Sequence, residues 1–259
     1  MEKEVLKISL VQANTIQHDV IGNLAHLEEI LEQACSPDSD IIVLPEMFNT
    51  GFQVEPNLYA EPMGLTTSRW LKLQAARLNK AVCGTLSVSE NGKYYNRFIF
   101  QLPNGTFFQY DKHHLFTYGK EGKVYTAGNQ SIVIPYLGWN IKPTICYEIR
   151  FPEWCRNTKT IEYDILLVCA NWPQERSIAW RNLLPARAIE NSSYLVAVNR
   201  SGPDGLGTQY NGGSAAYNPE GLALVNTHLE METVIGVELS KTYLSQYRNR
   251  FKAHLDWEI

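Results

Sequence analysis

Hydrophobic positions recur along the chain with two different periods, which predict strands alternating with helices. Residues 5–12 form an apolar run typical of a strand. Residues 19–34 carry apolar side chains at helical spacing, namely Val20, Leu24, Leu27, Ile30 and Leu31. Residues 40–44 form a second apolar run, as expected of a strand buried on both faces. The chain therefore opens β-α-β.

The next part of the pattern predicts an antiparallel region. A helix over 67–79 leads into a strand over 81–88. Two turn signals follow, Asn91-Gly92 and Pro103-Asn104-Gly105, and they separate runs rich in Tyr, Phe and Ile. Turn signals between such runs are typical of hairpins.

The second half returns to alternating strands and helices. After a loop over 113–129 we expect strands near 132 and over 141–146, 164–169 and 194–199, with helices from about 152 and over 178–191. Pro185 should kink the second helix. A glycine-rich loop, a hairpin about 218–221 and a strand over 234–238 complete the chain. Strand–helix units mixed with hairpins predict an α/β fold of two packed mixed sheets with helices outside.

Composition narrows the class of protein and its partners. The 259 residues are 44% hydrophobic and 19% charged, and no linker divides them, so we expect one domain, 1–259. A net charge of −4 without a Lys/Arg run predicts a small-molecule partner and no nucleic acid. A charged N-terminus and the lack of an apolar run of about 18 residues predict a cytoplasmic protein that does not enter membranes.

Cysteine usage argues against structural metal and disulfide chemistry. The five cysteines are scattered, odd in number and without CxxC spacing. Neither a disulfide framework nor a zinc site is predicted by such a pattern. We therefore expect no metal.

Three reactive side chains stand just after predicted strands: Glu46, Lys112 and Cys146. Because the carboxyl ends of neighbouring strands meet at one crevice, these residues can converge although they are distant in sequence. Cys146 also precedes a predicted helix start, where N–H groups and the helix dipole favour a thiolate. Each has an ordinary alternative: a loop acid, a surface lysine and a buried core thiol.

If the three side chains meet, they form an acyl-transfer site. Lys112 would lower the pKa of the Cys146 thiol, Glu46 would accept and return a proton, and the Tyr147 N–H would face a developing oxyanion. The competing arrangement is a Cys–His pair in which His113 or His114 is the base. Replacing Lys112 by alanine should abolish turnover in the first arrangement and only weaken it in the second.

The motifs around these residues resemble those of the nitrilase, or carbon–nitrogen hydrolase, superfamily. The likeness covers nearly the whole chain, and its three principal motifs occur in the same order and at similar intervals. The segments that carry it are Leu44-Pro45-Glu46-Met47-Phe48, Tyr110-Asp111-Lys112-His113-His114-Leu115-Phe116, Cys146-Tyr147-Glu148-Ile149-Arg150-Phe151-Pro152-Glu153, Ala186-Arg187-Ala188-Ile189-Glu190-Asn191 and Val198-Asn199-Arg200.

This resemblance implies a four-layer αββα sandwich, a homodimer, and amide hydrolysis through a thioester without metal or organic cofactor. It makes Cys146 the nucleophile and Glu46 the residue that protonates departing ammonia and then activates water. Lys112 and the Tyr147 N–H would hold the oxyanion. Glu121 is similar in placement to a second glutamate of many relatives, and would orient Lys112 and the substrate or else be a solvated loop acid.

Within the superfamily, the segments Ala170-Asn171-Trp172-Pro173 and Trp180-Arg181-Asn182-Leu183-Leu184 most resemble the bacterial omega-amidases. That branch hydrolyses the terminal amide of 2-oxoglutaramate or 2-oxosuccinamate. The candidate pocket residues are Trp172, Phe48, Phe52 and Phe116, each with a core role as the alternative, which we expect for at least one phenylalanine.

Several points stay open from the sequence alone. Arg150 and Arg187 are candidates for binding a substrate carboxylate, although pairing with acids of the same chain is the more usual role of such arginines. Glu148 stands where relatives often have Asp. The rival functions are an N-carbamoyl or other aliphatic amidase, a nitrilase, and a non-catalytic binding protein of the same fold.

Overall fold

Thirteen strands and six α-helices are found in residues 2–225 and 230–257, the part of the chain that the computed structural model describes. The strands are β1 (Val5–Gln12), β2 (Ile41–Val43), β3 (Ala81–Glu90), β4 (Lys93–Gln101), β5 (Phe107–Asp111), β6 (Ile134–Tyr136), β7 (Trp139–Ile145), β8 (Ile165–Ala170), β9 (Tyr194–Asn199), β10 (Ser201–Pro203), β11 (Gln209–Asn211), β12 (Ala215–Tyr217) and β13 (Thr233–Ser240). The helices are α1 (Val20–Gln33), α2 (Pro56–Tyr59), α3 (Thr66–Leu78), α4 (Pro152–Cys155), α5 (Ser177–Asn191) and α6 (Lys241–Phe251).

The strands form two large mixed sheets. The first has the order β13-β1-β2-β3-β4-β5 and the second β12-β9-β8-β7-β6, while β10 and β11 make a separate hairpin. In each large sheet three central strands are parallel: Ile8 of β1 pairs with Ile41 of β2, and Ile141 of β7 pairs with Ile165 of β8. Antiparallel strands flank both trios. The ends of the parallel strands therefore lie along one edge of each sheet.

The strands bury apolar side chains on both faces, which sets the layers. Ile41 and Val43 of β2 belong to the core that includes the second sheet, whereas Ile42 packs with the helices on the outer face. Leu27 of α1 and Leu71 of α3 lie in that outer core. Helix α5 packs against the second sheet through side chains that include Trp180, Leu184 and Ala188. The predicted four-layer αββα architecture is thus confirmed.

Local sequence signals account for the start of some helices. Asp19 caps α1 by accepting a hydrogen bond from the Gly22 N–H at 2.9 Å. Helix α5 keeps Pro185 in its interior, as the sequence indicates. The sequence argument missed helix α6, although Tyr243, Leu244, Tyr247 and Phe251 recur at helical spacing in it. The helix expected from about 152 is a single turn, α4.

None of the described helices combines the length and the apolar character needed to cross a membrane.

Candidate active site

The two sheets bring the three predicted reactive side chains together at one end of the inter-sheet core. Glu46 follows β2, Lys112 directly follows β5 and Cys146 directly follows β7. The Lys112 Nζ donates to Glu46 Oε1 at 2.8 Å. The side chains of Glu46 and Lys112 are 0% and 1% exposed, and Cys146 is 8% exposed. All three line one cavity.

Glu121 completes a buried ion cluster around the lysine. Its two carboxylate oxygens accept from Lys112 Nζ at 3.2 and 3.0 Å, and its Oε2 also accepts from the Phe116 N–H at 2.6 Å. Asn96 on β4 donates through Nδ2 to Glu46 Oε1 at 2.8 Å and to Glu121 Oε1 at 2.9 Å. Glu121 is therefore a buried partner of Lys112, not a solvated loop acid.

The cluster fixes the charge of the lysine. Burial by itself lowers the pKa of Lys112, but Glu121 and then Glu46 more than offset this effect, and the net shift of the pKa is upward. Three carboxylate oxygens lie within hydrogen-bond distance of its ammonium group. Lys112 is thus a permanent, already partnered cation in a site that carries two carboxylates.

Cys146 occupies a sharp turn between strand and helix. Its φ of 47° lies in the left-handed region, which is uncommon for a residue other than glycine, and it opens the 3-10 helix Cys146–Arg150. The first N–H groups of a helix have no intrahelical acceptor, so the N–H of Tyr147, a residue that lines the cavity, is available to a ligand. The predicted position at a strand end and helix start is confirmed.

Lys112 lowers the pKa of the Cys146 thiol, as predicted, but the net shift of that pKa is upward. Burial raises the pKa of Cys146 well above its ordinary value, and the neighbouring Glu46 carboxylate raises it further, while Lys112 opposes both without reversing them. The helix that begins at Cys146 is a single short 3-10 segment, so its dipole contribution is small. Cys146 therefore rests as a neutral thiol beside a carboxylate that can take its proton.

Alkylation should reveal this neutral thiol. We expect the rate of iodoacetamide reaction at Cys146 to keep rising above pH 9, because the thiol ionises only above its ordinary pKa of about 8.5. The measurement is mass spectrometry of the modified peptide across pH 6–10, with the Cys146→Ser variant identifying background adducts. A rate that reaches its plateau near pH 7 would show a preformed thiolate instead.

Asn171 ties the Glu46 loop to the second sheet. It directly follows β8, and its N–H donates to Glu46 Oε2 at 3.0 Å while its Nδ2 donates to the Glu46 carbonyl at 2.8 Å. The sequence argument did not single out Asn171 or Asn96 as site residues. Asn171 could have been found by the same rule as the others, since it directly follows a strand. Asn96 lies within β4, where that rule gives no signal.

Glu148 joins the lysine segment to the cysteine turn. Its Oε1 accepts from the Tyr110 hydroxyl, from the His113 N–H at 2.7 Å and from the His114 N–H at 3.2 Å. Its Oε2 accepts from the Ile145 N–H at 2.8 Å. Burial raises the pKa of this carboxyl while these donors act in the opposite direction. Glu148 thus links the two residues that flank Lys112 and Cys146.

Replacing Glu148 by glutamine should weaken both stability and turnover. An amide presents a donor where one of the four donors needs an acceptor, which costs about 1–3 kcal/mol and lowers the melting temperature by roughly 2–12 °C. We expect turnover to fall about tenfold or more, because Lys112 and Cys146 lose their shared support. Calorimetry and steady-state kinetics measure the two effects. The exposed neighbour Glu153, changed to Gln, is the matched control, and equal behaviour of the two variants would contradict the role given to Glu148.

The two histidines lie outside the cavity that holds the thiol. His113 stacks on Trp154 at a ring distance of 4.0 Å, and its Nδ1 lies 2.6 Å from the Gly128 carbonyl oxygen. His114 stacks on Phe151 at 3.9 Å, and burial lowers the pKa of its imidazole. Neither is among the cavity-lining residues. The alternative Cys–His pair therefore finds no support in the geometry.

The cavity has a volume of about 500 Å³, and aromatic side chains make up much of its wall. Trp172, Phe52 and Phe116 line it, as expected of pocket residues. Phe48 does not: it is fully buried on the outer side of the first sheet, with its ring 5.9 Å from that of Trp70. Phe48 is therefore the phenylalanine with the core role.

The two arginines that the sequence suggested as carboxylate ligands lie in different places. Arg150 lines the cavity, with its guanidinium 5.0 Å from the Trp172 ring centroid. Arg187 is not among the lining residues: it donates to the Ile149 carbonyl at 2.8 Å and pairs with Glu190 at 3.0 Å. Arg187 therefore pairs with an acid of the same chain, which is the alternative role considered in the sequence analysis.

Metal ligation has no visible basis in the described ranges. No group of three or more His, Cys, Asp or Glu side chains in residues 2–225 and 230–257 is arranged to hold an ion. The chemistry available here is that of a thiol, a carboxylate base and a fixed cation.

Comparison with known proteins identifies the family. The carbon–nitrogen hydrolase family model matches residues 7–249. The chain is 39% identical to the omega-amidase YafV of Escherichia coli over 251 residues, 97% of this chain and 96% of that protein. It is 33% identical to the 2-oxoglutaramate amidase of Bacillus subtilis over 223 residues, 84% of each.

A solved structure extends the likeness to the backbone. A CN-hydrolase superfamily protein from Xanthomonas campestris, whose active site carries an arsenic adduct, superposes with a TM-score of 0.95 at 39% identity. The match covers 99% of this chain and 98% of that one. The fold, the motifs and these matches together show that the chain belongs to the carbon–nitrogen hydrolase family.

Proposed function

We propose that this protein is a cysteine-dependent omega-amidase that hydrolyses the terminal amide of 2-oxoglutaramate or 2-oxosuccinamate to the keto acid and ammonia. That it is an amide C–N hydrolase follows from its family and relatives. The observation that carries the mechanism is the position of the Cys146 thiol, which shares one cavity with Glu46 and Lys112.

The first half-reaction forms a thioester. Glu46 takes the thiol proton as Cys146 sulfur attacks the amide carbon, and negative charge develops on the carbonyl oxygen. The Lys112 ammonium and the Tyr147 N–H stabilise that charge. Collapse of the tetrahedral intermediate breaks the C–N bond, and Glu46 gives its proton to the departing nitrogen, so that ammonia leaves.

The second half-reaction restores the thiol. Glu46, again a carboxylate, removes a proton from a water molecule that attacks the thioester carbon. The second tetrahedral intermediate collapses to the carboxylic acid, and the proton on Glu46 returns to Cys146 sulfur. The Asn96 amide and the Asn171 backbone N–H each donate a hydrogen bond to the Glu46 carboxylate, and the Asn171 side-chain amide donates to the Glu46 backbone carbonyl, so one side chain is held in place for both steps.

The substrate assignment is supported by the relatives and by the cavity. The two curated relatives described above are named an omega-amidase and a 2-oxoglutaramate amidase. A cavity of about 500 Å³ is within the usual size of small-molecule sites and accommodates a five-carbon substrate.

Ammonia release from a substrate panel tests the proposal. The panel contains 2-oxoglutaramate, 2-oxosuccinamate, glutamine, asparagine, an N-carbamoyl amino acid, an aliphatic amide and an aliphatic nitrile. We expect the highest kcat/KM for the two keto-acid amides. Preference for the carbamoyl compound, the aliphatic amide or the nitrile would replace the proposal by one of the rival functions, and lack of any turnover would favour a non-catalytic binding protein.

Two further expectations concern the protein outside its active site. We predict a homodimer, which light scattering coupled to size-exclusion chromatography measures directly. We also predict a cytoplasmic location without nucleic-acid partners, which cell fractionation and a filter-binding assay check.

A further inference from the structure

The charged groups of the cavity wall determine in which orientation a charged substrate binds. Its reacting end holds Glu46 and the Lys112 ammonium, and Lys112 is already bound to three oxygens of Glu46 and Glu121. Two carboxylates and one cation give this end a net negative charge. A substrate carboxylate is therefore repelled from the reacting end and must lie against another part of the wall.

Arg176 supplies a cation at that other part of the wall. It ends the 3-10 helix Gln174–Arg176 and lines the cavity. Its guanidinium lies 5.3 Å from the Phe116 ring centroid and 5.8 Å from that of Tyr118. Its side chain is 30% exposed, so it is partly withdrawn from solvent. Contacts of this kind are favourable cation–π interactions, and the guanidinium N–H groups can still donate to a carboxylate.

Two phenylalanine rings of the cavity wall lie next to Arg176 and to the catalytic lysine. Phe116 contacts Arg176 on one side, and its ring lies 6.4 Å from that of Phe52. Lys112 Nζ lies 6.0 Å from the Phe52 centroid. The Phe116 and Phe52 rings thus adjoin each other, with the Arg176 guanidinium beside the first and the Lys112 ammonium beside the second, and all four residues line one cavity.

Arg176 is held in place but not neutralised by the protein. The Trp172 Nε1 donates to the Arg176 carbonyl at 2.8 Å, which fixes the backbone to the pocket wall. Its one recorded ion pair within the described ranges is with Glu175 at 3.9 Å, and that carboxylate is 83% exposed. An exposed pair at this distance contributes little. The guanidinium is therefore available to an anionic ligand.

The other charged groups on the cavity wall already have partners or are more solvated. Glu55 lies 3.7 Å from His18, and Asp204 accepts from the N–H groups of Leu206 and Thr208. Arg150 is exposed, and its guanidinium lies 5.0 Å from the Trp172 ring centroid. Of the two cavity arginines, Arg176 is thus the more buried, and its guanidinium lies near two rings instead of one.

We propose that Arg176 is the specificity-determining residue that binds the carboxylate of the substrate and points its amide at Cys146. This inference rests on the proposed function and adds the residue that selects anionic amides over neutral ones. It also explains how a small apolar cavity distinguishes a dicarboxylic acid monoamide from an aliphatic amide of the same length.

The test compares two substrates that differ only at the distal end. Glutaramate carries a carboxylate where pentanamide carries a methyl group. We expect Arg176→Gln to lower the ratio of kcat/KM for glutaramate to that for pentanamide by about 10- to 100-fold, mainly through KM, because a charge-assisted bidentate contact is lost. Arg176→Lys should recover part of the ratio. Arg181→Gln, a change to an exposed arginine of α5 that does not line the cavity, is the matched control.

A binding measurement separates this inference from the proposed function. In the Cys146→Ala background, titration calorimetry should detect binding of glutaramate, which carries an amide for the reacting end and one carboxylate, and adding Arg176→Gln should weaken its Kd at least tenfold. Failure of the panel assay to show keto-acid amide hydrolysis counts against the proposed function. An unchanged ratio or unchanged glutaramate Kd in Arg176→Gln overturns the inference, as does a loss of the ratio in Arg150→Gln alone or undetectable glutaramate binding.

Discussion

Replacing Cys146 by serine is expected to lower turnover by about 10⁴-fold or more. The hydroxyl is a much poorer nucleophile than a thiol, and the proposed acyl intermediate would have to form through it. Wild-type enzyme quenched in acid during turnover should carry the mass of the acyl group on the peptide that contains Cys146. The Cys146→Ser enzyme should show no such adduct under the same conditions.

Cys155 offers a matched control for this experiment. It is fully buried, and its thiol lies 3.5 Å from the Glu148 carbonyl oxygen, a contact that a serine hydroxyl can also make. The Cys155→Ser variant should therefore retain turnover within a fewfold and still form the acyl adduct on Cys146. Full turnover in Cys146→Ser would remove Cys146 from its role as nucleophile.

Replacing Lys112 by methionine should abolish turnover and also destabilise the fold. The ammonium holds Glu46 and Glu121 in a fully buried cluster, and its loss leaves two carboxylates joined through Asn96 without a cation. Breaking a buried pair of this kind costs about 3–5 kcal/mol. Urea unfolding monitored by circular dichroism measures the loss of stability, and ammonia release measures the loss of activity.

A double variant distinguishes the two roles of Lys112. Adding Glu121→Gln to Lys112→Met removes one uncompensated charge and should restore part of the stability, but not the turnover, since no cation faces the oxyanion. If Lys112→Met keeps a substantial fraction of wild-type turnover, the lysine is not part of the oxyanion site. That outcome would reopen a mechanism based on a different base, such as the Cys–His pair.

Much of the fold was predictable because its strands are strongly apolar. The strand expected over 5–12 matches β1, and the one over 194–199 matches β9. Hairpins at Asn91-Gly92 and Pro103-Asn104-Gly105 were predictable from turn chemistry and are confirmed by the antiparallel pairs of β3 with β4 and β4 with β5. Helix α6 carries a weaker signal, because its few apolar residues stand among polar and charged ones and only Leu244 is buried.

Some residues of the candidate site were predictable from the sequence and others were not. Glu46, Lys112 and Cys146 could be selected because each follows a strand, and parallel strands end at one edge. Asn96 could not, because it lies in the middle of β4 and reaches the cluster only through the packing of that strand beside the Glu46 and Glu121 segments. Phe48 stands two residues from Glu46 in sequence but on the opposite side of the sheet.

The sequence by itself determined the order of elements, the reactive residue types and their places after strands, because these depend on local periodicity and motif spacing. Only the tertiary structure decided the direction in which the pKa of the catalytic thiol is shifted. Burial and the carboxylate of Glu46 keep Cys146 a neutral thiol, which reverses the pKa shift expected from its position at a helix start. The structure also decided that Arg176 faces the cavity while Arg187 does not, because orientation depends on packing between segments distant in the chain.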